Sequence, residues 1–120
     1  MLGVLSREDE QIVIIEYAME YLNDKRNRAE RKLRELGAVF DPEDTVGCWA
    51  LHKDDATKAI DAVAMEYPFE KVDFEFVVKM FRHLKQEWNN ADEEYNYLFG
   101  MRCDEVGKKI ERDERKENTL

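Results

Sequence analysis

The chain has 120 residues, of which 39% are charged and 43% are hydrophobic, and its formal net charge is −9. A chain of this length can bury one core but not two, so we expect a single domain over residues 1–120. Two isolated cysteines exclude a disulfide scaffold, and no apolar run approaches the roughly 20 residues that span a bilayer.

With two prolines and five glycines, the sequence favours long helices and predicts an all-α fold, a small helical bundle. The opening residues are too short and lack the basic flank of a signal peptide, so we expect a cytoplasmic protein. Cys48 and Cys103 are then expected to be reduced thiols.

The first long helix is predicted over about residues 7–36. Ser6 and Asp9 resemble a capping box, and Gly37 supplies a left-handed stop. Apolar residues recur between them at steps of three and four, which is typical of an amphipathic helix. A second apolar row predicts that the first half of this helix is buried on two sides; the row consists of Ile14, Tyr17 and Tyr21.

A shorter covering helix is predicted over about residues 55–66. Asp54 or Asp55 would cap its start, and Pro68 closes it because proline disfavours helix at the preceding residue. The apolar segment before it, Val46 to Leu51, is expected to be packed.

A second long helix is predicted over about residues 73–99, with Asp73 as its cap. Near Gly100 the apolar rhythm slips by one residue, which predicts a stutter or a kink, followed by a variable C-terminal helix. Residues 112–120 are expected to be frayed. An up-down-up order of the three helices would bring the N-terminal halves of the two long helices to the same end.

The predicted core takes its residues from all three helices. Its members are Ile12, Ile15, Met19, Leu22, Ile60, Val63, Phe74, Val77, Phe81, Leu84 and Trp88.

No motif for catalysis, a metal or a cofactor stands out. His52 and His83 lack a second ligand at metal-binding spacing, and no glycine loop suited to phosphate is present. We therefore predict a protein that is not an enzyme and has no cofactor.

Self-association is predicted from narrow apolar stripes on the outer halves of both long helices, which the short covering helix cannot reach. A homodimer is the simplest cover for such a surface. The residues assigned to it are Leu33, Leu36, Tyr95, Leu98 and Phe99.

Two hypotheses for function compete. The first is a protein–protein interaction module, an adaptor or inhibitor, that binds a partner with a basic surface; nucleic-acid mimicry is one form of it. Its acidic contacts would be Asp92, Glu93, Glu94, Asp104 and Glu105.

The alternative is a nucleic-acid-binding protein that uses the basic segment from Lys25 to Arg34. Its phosphate contacts would be Lys25, Arg28, Arg31 and Lys32.

Overall fold

The computed structural model describes residues 6–43 and 49–118. These residues form three helices, α1 (Arg7–Glu35), α2 (Lys53–Glu66) and α3 (Phe74–Asn118), and two short strands, β1 (Val39–Phe40) and β2 (Trp49–Ala50). The strands are antiparallel, with Val39 opposite Ala50 and Phe40 opposite Trp49. The predicted all-α helical bundle is confirmed, with the two-stranded hairpin as a minor addition.

Both predicted ends of the first helix are confirmed. The Asp9 backbone N–H donates to Ser6 Oγ at 3.1 Å, and the Ser6 hydroxyl donates to Asp9 Oδ2 at 2.7 Å. At the other end Gly37 has a φ of 87°. The N–H groups of Gly37 and Ala38 donate to the carbonyls of Arg34 and Leu33, which is the Schellman arrangement.

The second helix begins earlier than predicted. Its N-cap is His52, without a hydrogen bond from the side chain, so neither Asp54 nor Asp55 caps it. Both aspartates instead lie in the first turn, where the helix dipole favours negative charge.

The third helix is one continuous element where the sequence predicts two. Asp73 caps it as expected, since the Phe76 N–H donates to Asp73 Oδ1 at 2.9 Å. The helix then passes through Gly100 and reaches Asn118. Arg112 Nη1 lies 2.7 Å from Glu8 Oε2, and the expected fraying over about residues 112–120 stays a prediction.

The chain divides into two compact units, and each long helix contributes to both. Unit 1 consists of the part of α1 up to Asp24 and the part of α3 from Asp92. Unit 2 is continuous, from Lys25 to Ala91.

In unit 1, α1 and α3 are antiparallel. Besides the Glu8–Arg112 pair, Asp9 Oδ1 lies 2.6 Å from Lys109 Nζ, and Glu16 Oε1 lies 2.9 Å from Arg102 Nε. The N-terminal part of α1 therefore packs on the C-terminal part of α3. The up-down-up order, which requires the two long helices to be parallel, is wrong.

These ion pairs also explain why the apolar rhythm slips near Gly100. In the second part of α3 the residues that face α1 include Arg102, Lys109 and Arg112, whose charged ends pair with carboxylates of α1. A prediction from apolar spacing alone places Phe99 and Ile110 on the packed side of the helix instead of these charged residues, but both are about half exposed.

Unit 2 holds a core built from all of its elements. Leu33, Trp49 and Val77 are essentially inaccessible to solvent. The rings of Phe40, Trp49 and Trp88 form an aromatic cluster, with centroids 5.3 to 5.9 Å apart. The predicted packing of the segment before α2 is confirmed at Trp49, whereas positions 46–48 lie outside the described residues.

Most of the predicted core is confirmed. Ile15, Met19, Leu22, Val63, Val77 and Leu84 are buried. Ile12, Ile60, Phe81 and Trp88 are partly buried. Phe74 is an error, since it is exposed at the start of α3, where no preceding turn covers it.

Candidate interaction surfaces

The predicted second buried side of α1 is instead a solvent-exposed row. Ile14 is 61% exposed, Tyr17 76% and Tyr21 59%. These residues do form an apolar row, but α3 covers only one side of α1 in unit 1, and that side is a different one. An amphipathic stripe shows that a face is apolar and does not show what covers it.

The outer side of α3 in unit 1 presents a second apolar pair. Tyr97 is 71% exposed, and Met101, one turn later, is partly exposed. Because Glu16 pairs with Arg102 and the helices are antiparallel, Tyr21 lies level with Tyr97. Helix geometry, at about 100° per residue, turns both tyrosines to the same side of the unit. We call this surface, formed by Ile14, Tyr21, Tyr97 and Met101, the tyrosine face.

Four of the five predicted acidic contacts border the tyrosine face. Positions 93, 94, 97, 101, 104 and 105 fall within about one third of the circumference of α3. Asp92 points to another side of the helix, and Asn96 Nδ2 lies 3.5 Å from its Oδ2. Glu105 pairs with Lys108 Nζ at 3.3 Å. No other described residue forms an ion pair with Glu93, Glu94 or Asp104.

The predicted self-association residues do not form one surface. Leu33 and Leu36 are 0% and 5% exposed and belong to the core of unit 2, so assigning them to a dimer contact is wrong. In unit 1, Tyr95 and Leu98 are partly buried, and only Phe99 is exposed. The sequence correctly indicates that Leu33 and Leu36 need cover, but the cover comes from unit 2 itself.

Unit 2 contains an open groove of about 490 Å³ between α1, α2 and α3. Its floor is apolar and is formed by Leu36, Val63, Phe76, Met80 and Leu84. Tyr67 stands at its edge, with its ring centroid 5.6 Å from that of Phe76. No site is predicted at this groove from the sequence, although Phe76 and Met80 give α3 a second apolar side there.

Charged side chains of both signs form the rim of this groove. They are Lys32, Glu35, Glu66, Lys79, His83 and Glu87. Three of them are already paired along α3, since Lys79 contacts Glu75 at 3.3 Å and His83 Nε2 contacts Glu87 at 3.1 Å.

Three of the four predicted phosphate-binding residues share one shallow depression in unit 2. Lys25, Arg28 and Lys32 line a space of about 240 Å³ together with Glu87. Arg31 is exposed but does not line it. The basic segment is therefore accessible, with a carboxylate among its lysines and arginine.

The remaining candidates for chemistry are isolated. Over residues 6–43 and 49–118, no three His, Cys, Asp or Glu side chains are grouped to hold a metal ion. Cys103 is an exposed free thiol, and Cys48 lies outside the described residues. Within the part of the chain that the structure describes, no helix has a stretch long and apolar enough to cross a bilayer.

Comparison with known proteins gives this chain no relatives: no family model matches it, and no curated protein or solved structure shows significant similarity to it.

Proposed function

We propose that this protein is a non-enzymatic interaction module, an adaptor or inhibitor, whose tyrosine face binds a partner protein with a basic surface. The single observation that carries the proposal is the exposure of Tyr17, Tyr21 and Tyr97 in one small unit, which also carries carboxylates that form no ion pair with any described residue. We place its action in the cytoplasm, where the exposed Cys103 would stay reduced.

The apolar part of the tyrosine face supports binding to a protein. Tyrosine and methionine are enriched in protein interfaces, because they supply large contact areas at a low cost in conformational entropy. Contiguous apolar patches are rare on monomers and mark interaction sites when polar residues surround them.

The acidic border supports a basic partner. Glu93, Glu94 and Asp104 carry negative charge that no described residue neutralises by an ion pair. Such a border accelerates encounter with a positive surface and rejects acidic ones. It also disfavours pairing of two copies through this face, so a homodimer would use the region around Phe99 instead.

Nucleic-acid binding by the segment from Lys25 to Arg34 is the second candidate. The observation that favours it is the shared depression lined by Lys25, Arg28 and Lys32. The net charge of −9 weakens it, because long-range repulsion opposes the approach of phosphates.

Capture of partners from the source cell by the full-length protein, with and without nuclease treatment, tests the proposal. We expect a protein partner that survives nuclease. Its affinity for purified Tyr21→Ser/Tyr97→Ser should fall about 30-fold or more, as expected for interface hot spots. Phe99→Ser is the matched control, an exposed aromatic residue outside the tyrosine face.

The charge contribution is tested separately. Glu93→Lys/Asp104→Lys should slow association about tenfold at low salt and have little effect at high salt. Asp61→Lys/Glu70→Lys makes the same change in net charge on exposed positions of unit 2 and should leave the rate close to the wild-type value. Recovery of nucleic acid alone, lost on substitution of Arg28, Arg31 and Lys32, would refute the proposal in favour of the second candidate.

A further inference from the structure

The groove of unit 2 has the length needed to bind a short helix. Its floor follows α3 through Phe76, Met80 and Leu84, which are spaced by four residues and so extend over about 12 Å. Leu36 of α1 and Val63 of α2 flank this row. Apolar residues at i, i+4 and i+7 of a bound helix extend over about 10 Å, so three such anchors match the length of the floor.

Helix packing favours a helix over a compact ligand. Three helices line the groove, and Phe76 and Met80 on its floor are only partly buried. A fourth helix laid along the row would complete a four-helix arrangement and cover both side chains. Met80 adds a flexible side chain that can adapt to different anchors.

The rim charges indicate the sign of the occupant. Lys79 pairs with Glu75, and His83 Nε2 lies 3.1 Å from Glu87 Oε1, so these rim residues already have partners along α3. Neither Glu35 nor Glu66 forms an ion pair with any described residue. Of the two rim lysines, Lys79 is paired, and Lys32 forms no ion pair with any described residue. Two available carboxylates against one ammonium group favour a ligand with positive charge beside its apolar anchors.

We propose that this groove is a second binding site, which accepts a short amphipathic helix of a partner protein, with apolar anchors on one face and lysine or arginine at its edge. This site shares no residue with the tyrosine face, and the two lie in different units. The protein would then hold two segments, from one partner or from two, as an adaptor does.

Titration with model peptides tests the site directly. The first probe is a helical peptide of about 14 residues with leucines at i, i+4 and i+7 and lysines along the polar edge. The second has glutamates in place of the lysines. With the full-length protein labelled with ¹⁵N, we expect the lysine peptide to shift the amide signals of Val63, Met80 and His83, and to bind about tenfold or more tightly than the glutamate peptide.

Two variants of the groove keep the test independent of folding. Ala62→Trp adds a bulky ring at an exposed position on the groove and should abolish binding of the lysine peptide. Glu35→Gln/Glu66→Gln removes only charge and should weaken binding about tenfold. Tyr21→Ser, in unit 1, should leave binding unchanged, so failure of this proposal is distinguishable from failure of the proposed function.

Three results would overturn the inference. The first is equal binding of the two peptides, and the second is loss of binding in Tyr21→Ser, which would place the peptide on unit 1. The third is binding of the apolar dye 8-anilinonaphthalene-1-sulfonate, blocked by Ala62→Trp, with no binding of either peptide. That result would identify the groove as a site for a small apolar molecule.

Discussion

Asp9 and Lys109 show how single residues couple the two helices of unit 1 to pH. The hydrogen bond from Lys109, followed by that from Ser6, lowers the pKa of Asp9 below its ordinary value of 3.8. The hydrogen bond to Asp9 raises the pKa of Lys109 above its ordinary value of 10.5. Both side chains remain partly exposed, so solvent and salt screen the pair.

The stabilisation from this pair should be confined to one window of pH. A carboxylate with a lowered pKa stabilises the fold above its unfolded pKa, and the effect disappears as the pH falls through the folded value. A lysine with a raised pKa stabilises the fold below its unfolded pKa, and the effect disappears as the pH rises through the folded value. The pair therefore acts between about pH 4 and pH 10.

Thermal unfolding of Asp9→Asn and the wild-type protein across this range measures the effect. We expect Asp9→Asn to melt at a lower temperature at pH 7, and the difference to shrink below about pH 3 and above about pH 11. The asparagine keeps an acceptor for the Ser6 hydroxyl, so the cap is largely preserved. A difference that is the same at pH 2 and pH 7 would contradict the role of the ion pair.

Individual residues were predictable from the sequence where neighbours along the chain determine their environment. Ser6, Asp9 and Asp73 act within one helical turn, and the two caps that they form, at the starts of α1 and α3, are predicted correctly. The sequence predicts that Leu33 and Leu36 are covered by a second copy of the chain, whereas the core of unit 2 covers them. The prediction fails because burial depends on residues distant in sequence. The same limit applies to Arg102, whose partner Glu16 is 86 positions away.

At the scale of elements, Gly37 and Gly100 show where a glycine in the sequence does and does not end a helix. Gly100 lies inside α3, and a Cβ atom added there would meet no atom within 4 Å. Gly37 has a φ of 87°, and an added Cβ would lie 3.0 Å from the Cβ of Asp55. The sequence predicts an interruption at both; the structure has a helix end only at Gly37, where tertiary packing also requires glycine.

Alanine substitutions at these two glycines should therefore have opposite effects. Gly100→Ala should raise the free energy of unfolding by about 0.5 to 1 kcal/mol, because alanine loses less backbone entropy in a helix. Gly37→Ala should lower it by about 1 kcal/mol or more, because of the left-handed backbone and the contact with Asp55. Urea unfolding monitored by circular dichroism gives both values, and destabilisation by Gly100→Ala would instead support a kink at that position.

At the scale of the whole molecule, the two units differ in how much apolar surface they bury. Among the described residues of unit 1, three hydrophobic residues are buried: Ile15, Met19 and Leu22. The connected core of unit 2 contains nine, with further aromatic and aliphatic residues packed against it. Long helices can be predicted from sequence without revealing this division, because the amphipathic patterns of α1 and α3 continue across the boundaries between the units, after Asp24 and after Ala91.

This difference predicts two levels of local stability along the same helices. Opening a unit exposes its buried apolar surface to water, so the unit that buries less should open at a lower free energy. Native-state hydrogen exchange should show amides of residues 12–22 and 95–112 exchanging faster than those of residues 29–35 and 77–91. Every segment compared is helical and internally hydrogen-bonded, so tertiary packing is the main difference. Equal opening free energies in all four segments would mean that the chain unfolds as one cooperative unit. If the units open separately, a partner bound to the tyrosine face should slow exchange in unit 1 first.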